Sequence, residues 1–306
     1  MRKKLSFRCL KFNRLVLLLA FFVTGTTTIA GSKLVQNGKS TFVIAVPSAA
    51  PKSVKLAAKE LQNYIFKTSG AKLPITSKPA RGNFISLGFR SGLSMRGIKA
   101  EGFRIVAKNG KIYIYGQDTP DGKHTANGGF SRGTLFGTYT FLEKFIDVRW
   151  LTPGPAGESI IKKRNITVPD TNIIENPAFI KRNLPYTGRG SQVRAWLQRQ
   201  RLGTSIFLYH GHVWHHAFKP ELAKNHPEWF AKIGGQRVKP SGTSYKICTS
   251  NPAVIKHMAD FIIRAFKSTP YRKGMSISAT DGWGFCQCTN CKAFDDKPFP
   301  KESALH

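Results

Sequence analysis

"NPAVIKHMADFIIRAFKSTPYRKGMSISA" (Asn251–Ala279) carries the fold in miniature. Asn251 stands where a helix N-cap belongs, and Pro252 suits the first turn because its missing N–H is not needed there. The helix predicted over Asn251–Lys267 is followed by "GMSISA" (Gly274–Ala279), a short strand. Upstream, "SQVRAWLQRQRLG" reads as a helix and "TSIFLYH" as a strand, with the long loop "GHVWHHAFKPELAKNHPEWFAKIGGQR" between them and Asn251. Strand, loop, helix, strand is the rhythm of a β/α barrel or a doubly wound sheet. A complete barrel takes about 250 residues. The stretch from Ala178 to His306 holds only its first three or so units, so the sequence is expected to be a piece of a longer protein or a product cut short.

The first half reads as a separate α/β domain. "TFVIAV" (Thr41–Val46) is a strand stopped by Pro47. In the following helix Val54, Ala57, Ala58, Leu61, Tyr64 and Ile65 recur at helical spacing, and Gly70 sits at the C-terminal cap. "FISLG" is a short strand. "GFRIVAKNGKIYIYG" (Gly102–Gly116) is a hairpin turned at Asn109-Gly110, a pair that accepts positive φ. "RGTLFGTYTFLEKFI" is a second helix with a stripe of Leu135, Tyr139, Leu142 and Phe145, and "VRWL" and "NITV" are strands. The expected division is a signal peptide over 1–30, an α/β domain with a mixed sheet and helices over 31–170, and a partial β/α barrel over 175–306.

The leader is expected from a basic start (Arg2, Lys3, Lys4, Arg8, Lys11, Arg14), the apolar run "LVLLLAFFV", and Thr28 and Ala30 in cleavage spacing before Gly31. Nine strongly apolar residues fall short of the ~20 that a spanning helix needs. An exported, periplasmic or extracellular protein with no membrane span after cleavage is therefore expected, although an uncleaved N-terminal anchor fits the same residues. Lys and Arg number 48 against 16 Asp and Glu, a formal net charge of +32, and residues 1–30 supply only six of the bases. Such a surface attracts polyanions. Export turns the expectation toward acidic polysaccharide and away from nucleic acid, and a merely solvated basic surface weighs equally. Oligomeric state is not legible.

The second half contains a cysteine cluster. Beyond Cys9 in the leader lie Cys248, Cys286, Cys288 and Cys291. Four cysteines in an oxidising compartment favour disulfides. A Cys286–Cys288 bridge would be strained, so Cys248 is expected to pair with one member of the cluster. Structural zinc held by four thiolates is the second choice, and no other cofactor is expected.

"SVKLAAKELQNYIFKTSGAKLPI" together with "RGTLFGTYTFLEKFIDVRWLTPGPAGESI" resembles the N-terminal α/β domain of bacterial alpha-glucuronidases, and β-hexosaminidases carry a similar domain. The blocks "HPEWF", "CTSNP" and "DGWGFCQCTNC" resemble a barrel domain of unknown function found behind it in exported bacterial polysaccharide-degradation proteins. The resemblance runs over nearly all of residues 33–296. It implies a glycoside-hydrolase-like protein, either hydrolysing glycosidic bonds or binding carbohydrate without catalysis, and it names no substrate.

The candidate site follows from strand ends. Asp281, directly after "SISA", stands where barrel enzymes place catalytic carboxylates, although Asp281-Gly282 is also an ordinary turn pair. His210 and His212 follow "SIFLY", and with Trp214 and Trp283 they are expected to contact a sugar through hydroxyl hydrogen bonds and ring stacking; loop packing is the alternative for both tryptophans. His212 best matches the Gly-His block of the resembling family. Arg182 ends the first expected barrel strand, where the resemblance to hexosaminidases implies substrate binding. Glycoside hydrolysis uses two carboxylates. Glu221 and Glu228 lie in the long loop, but their spacing does not aim either at Asp281.

Overall fold

The computed structural model describes residues 31–88, 92–184, 187–282 and 284–295. The expected leader, Trp283 and the residues from 296 onward lie outside them.

The N-terminal half is a mixed sheet covered by helices. Its first strand, β1 (Gly31–Val35), pairs antiparallel with β9 (Ile166–Pro169) and closes the domain. The main sheet contains β2 (Val43–Ala45), β3 (Ile75–Thr76), β4 (Phe84–Leu87), β5 (Phe103–Lys108), β6 (Lys111–Gly116) and β10 (Thr171–Glu175), in the order β10-β5-β6-β4-β2-β3. β3, β2, β4 and β6 run parallel, whereas β5 and β10 add antiparallel strands at one side. The β5–β6 hairpin turns at Asn109 and Gly110, both at positive φ, as the Asn-Gly pair predicts. β10 carries the sheet past the expected boundary at residue 170.

α1 (Lys52–Ser69) buries Val54, Ala57, Ala58, Leu61, Tyr64 and Ile65, and it ends on Gly70 in the left-handed conformation. Fully burying a Leu or Ile side chain stabilises by about 1.5–3 kcal/mol, so this face anchors the helix. α2 (Gly133–Phe141) differs from the expected stripe, because all nine of its residues are buried. It lies between α1 and the β5–β6 face, so close that a Cβ on Gly137 would come within 2.9 Å of Ile114. A π-helical turn over Leu142–Ile146 follows. β7 (Val148–Trp150) and β8 (Glu158–Ile160) then form a small antiparallel pair.

The second half consists of short elements. β11 (Lys181–Arg182) pairs antiparallel with β12 (Gly203–Thr204), flanking α3 (Ser191–Arg199). Consecutive strands of a β/α barrel run parallel, so this pair departs from the expected barrel. β13 (Leu208–Tyr209) does pair in parallel with a strand far downstream, Gly274–Met275. Between them come α4 (Trp214–Ala217), the β14–β15 hairpin (Lys232–Ile233 and Gln236–Arg237) and α5 (Pro252–Ser268); the downstream strand is β16, and α6 (Thr289–Asp295) ends the described chain. β13, α5 and β16 thus make one β-α-β unit. Asn251 caps α5 by accepting a 2.9 Å hydrogen bond from the Ala253 N–H. Among the described residues the strands of this half form separate pairs and not a closed barrel.

The two halves are joined by polar contacts. Trp196 Nε1 on α3 donates to the Trp150 carbonyl at 3.0 Å. The Arg199 guanidinium reaches Glu60 on α1 at 3.0 Å and Glu158 on β8 at 3.4 Å. No helix among the described residues is long and apolar enough to cross a membrane.

Candidate functional site

β13 and β16 end side by side, and the chain leaving each carries one member of a polar pair. His212 bridges in parallel register to Ser278, which brings the segments after the two strands together. His212 Nε2 lies 3.1 Å from Asp281 Oδ1. Both side chains face solvent, at 46% and 83% exposure. The other imidazole nitrogen, Nδ1, is hydrogen-bonded to the Ala279 carbonyl. A carbonyl can only accept, so Nδ1 carries a hydrogen. Nε2 then faces a carboxylate oxygen at hydrogen-bond distance. The pair is therefore an exposed imidazole–carboxylate contact beyond the carboxyl ends of parallel strands.

The backbone under Asp281 is fixed from below. Lys246, a buried lysine, donates from Nζ to the Thr280 carbonyl and lies 5.1 Å from the centre of the Phe285 ring. Thr280 Oγ1 donates to the Tyr245 carbonyl. Sequence reading passed over Lys246, because one more lysine in a chain this basic carries no signal until its burial is seen.

The remaining candidates separate from the pair. His210 is exposed just beyond β13. Trp214, expected to stack on a sugar, is instead a packing residue: it is 8% exposed, lies in the core formed with Phe218, Phe230, Tyr245, Ile247 and Val254, and donates from Nε1 to the Ile277 carbonyl at 2.9 Å. Arg182, expected to bind substrate, is committed to protein. Its guanidinium meets the buried Glu101 at 2.9 Å, the Phe179 carbonyl at 2.7 Å and the Arg201 carbonyl at 3.0 Å. Burial raises the Glu101 pKa, and Arg182 counters part of that rise. Trp283 lies outside the described residues. Glu228 contacts His226 at 3.4 Å. Among the described residues no second carboxylate forms an ion pair with His212. Next to the pair, burial, His216, Lys219 and His212 together lower the His215 pKa and favour its neutral form.

The disulfide expected at Cys248 is not formed, and Cys248, Cys286, Cys288 and Cys291 stand as free thiols. Their four sulfurs lie within 4.8 Å of one another. Burial pushes the Cys286 thiol up to about 12, whereas the Cys291 backbone N–H holds Cys288 down at about 6.

A family described as "Domain of unknown function (DUF4838)" matches residues 152–303. No curated protein matches the chain. Among solved structures, the chain is similar to a family GH115 4-O-methyl-alpha-glucuronidase with specificity for decorated arabinogalactans, at 15% identity and a TM-score of 0.40, covering 85% of this chain and 39% of that one. It is similar to the N-acetyl-beta-hexosaminidase of Streptomyces plicatus at 12% identity and a TM-score of 0.38, covering 79% and 55%. It is similar to the chitobiase of Flavobacterium johnsoniae at 13% identity and a TM-score of 0.36, covering 82% and 42%. These are partial likenesses to glycoside hydrolases. Another, to a GH20 exo beta-N-acetylglucosaminidase of Vibrio harveyi, covers only 18% of that chain, so this chain spans between about a fifth and a little over half of these proteins.

Proposed function

We propose that this protein acts on carbohydrate and that His212 and Asp281 form the acid side of a site that hydrolyses glycosidic bonds. One observation carries the reading: an exposed imidazole and carboxylate 3.1 Å apart, beyond the carboxyl ends of two parallel strands. A proton held there can pass to a leaving-group oxygen, which is the role of the general acid in glycoside cleavage. The resemblance of "HPEWF", "CTSNP" and "DGWGFCQCTNC" to a domain of exported polysaccharide-degradation proteins supports the same class. In this proposal the protein is exported, and its positive charge favours an acidic or sulfated glycan.

A second reading is favoured by the single carboxylate at the pair. Cleavage uses two carboxylates about 5–9.5 Å apart. A site with one can bind sugar without cutting it.

The test is reducing-end release from neutral and acidic oligosaccharides, beside calorimetric binding of the same sugars. Asp281→Asn is expected to lower product release by roughly 10²–10⁴-fold while leaving sugar affinity within a few-fold. Binding without any product supports the binding reading. Salt-sensitive DNA binding with no glycan binding would overturn both.

A further inference from the structure

We propose that Cys248, Cys286, Cys288 and Cys291 form a tetrathiolate site for one zinc ion, and that the ion ties the segment before α5 to the segment that follows Asp281. The proposal stands apart from the carbohydrate reading, since it needs neither sugar nor turnover.

The spacing of the sulfurs is the first argument. Cys248 Sγ lies 3.6 Å from Cys288 Sγ and 3.9 Å from Cys291 Sγ. In a tetrahedron with zinc–sulfur bonds of about 2.3 Å, neighbouring sulfurs are separated by about 3.8 Å. A disulfide would draw two sulfurs to about 2 Å and leave the others unmatched. Cys248 instead has two near-equal neighbours, and all four sulfurs converge within 4.8 Å. Three of the four residues are buried, forming a closed cluster with Ala231. Structural zinc sites are closed in this way, whereas catalytic ones keep a position for water.

The surroundings supply the second argument. Four thiolates around Zn²⁺ leave a net charge of −2, which calls for donors aimed at sulfur. The Lys232 N–H points at Cys286 Sγ from 3.3 Å, and Arg237 Nη1 lies 3.9 Å from the same sulfur. Ser250 Oγ lies 3.6 Å from Cys288 Sγ and 3.1 Å from Cys291 Sγ. A backbone amide, a guanidinium and a hydroxyl thus surround the cluster.

The ligands come from places that need joining. Cys248 precedes α5, Cys286 and Cys288 follow Asp281, and Cys291 lies in α6. The β14–β15 hairpin adds its backbone, since the Gln287 N–H donates to the Lys232 carbonyl at 2.7 Å and the Gly234 N–H to Gln287 Oε1 at 3.0 Å. The segment leading to Cys248 also holds Thr280, through Tyr245 and Lys246, so the site and the Asp281 backbone share one foundation.

The test uses the full chain purified under reducing conditions. Elemental analysis after gel filtration is expected to find one zinc per chain. Stripping with a chelator and replacing with Co²⁺ should produce the thiolate charge-transfer and intense visible bands of a tetrahedral sulfur site. Alkylation followed by peptide mapping should protect all four cysteines in the zinc form and modify all four after denaturation in chelator. Because Cys288→Ser could simply prevent folding, uptake of Zn²⁺ alone by the stripped wild-type chain is measured as well, with one equivalent expected. A mapped disulfide between Cys248 and any of the other three, or stripped thiols that take up no zinc or cobalt, would overturn the proposal.

Discussion

Arg182 and Glu101 meet across the boundary between the two halves, and each depends on the other. The Glu101 carboxylate is almost wholly buried, and the Arg182 side chain is 16% exposed. Removing one partner of a buried pair strands the other charge, at about 3–5 kcal/mol. Arg182→Ala is therefore expected to lower stability by an amount in that range, read from urea unfolding at neutral pH. The sign of its pH dependence follows from Glu101. A carboxylate whose pKa is raised on folding contributes stability at low pH that is lost as pH rises through the folded value. Without Arg182 that rise is larger, so the deficit of the variant should shrink as pH falls toward 4 and the carboxyl becomes neutral. The resemblance to hexosaminidases offered Arg182, at an expected strand end, as a sugar ligand; nothing in the sequence placed Glu101, 81 residues away, beside it. The same limit applies to the pair at the site. His212 and Asp281 are each legible as candidates from the strands before them, but their contact depends on the parallel pairing of β13 with β16, which no local pattern specifies.

Among the elements, those with local signals were legible. α1 has a periodic stripe and a glycine stop, and its six marked residues are all buried. The β5–β6 hairpin is fixed by Asn109-Gly110. α5 begins where Asn251 caps it, and Asn251→Ala should cost about 1 kcal/mol in unfolding free energy, since an alanine cannot accept the Ala253 N–H bond. α2 was legible as a helix but not as a wholly buried one, because its second covered face is set by α1 and the sheet and not by its own period. β1 and β10 went unread for a related reason. Each pairs with a strand far away in sequence, and the Asn37-Gly38 turn after β1 leads only to a Gln36–Lys39 bridge and not to its partner β9. In the second half, strands of two residues give too short a pattern to fix direction, so the antiparallel β11–β12 pair could not be told from a barrel's first parallel strands.

For the whole molecule, Arg199 and Glu158 form the centre of the join. Glu158 accepts from Lys67 at 2.6 Å and from the Tyr64 hydroxyl, and it meets Arg199 at 3.4 Å. Burial alone would raise its pKa, but the hydrogen bonds from Lys67 and Tyr64 and the nearby positive charges outweigh that and hold it low. A carboxylate with a lowered pKa contributes stability above its unfolded value of about 4.3 and loses it as pH falls through the folded value. The wild-type lead over Glu158→Gln should therefore be fully present at pH 7 and vanish in strong acid, as followed by unfolding midpoints across that range. This join makes the second half lean on a finished first half, and the first half closes late. Asn37, in the turn after β1, bonds to the Asn165 side chain just before β9, 128 residues along the chain. At about 5–20 residues per second of synthesis, the opening strand is made roughly 6–25 s before its partner. Throughout that interval its ladder edge has no strand to pair with, so the newborn chain needs something else to shield it, and the order of manufacture becomes as much a constraint on this fold as the contacts that finally hold it.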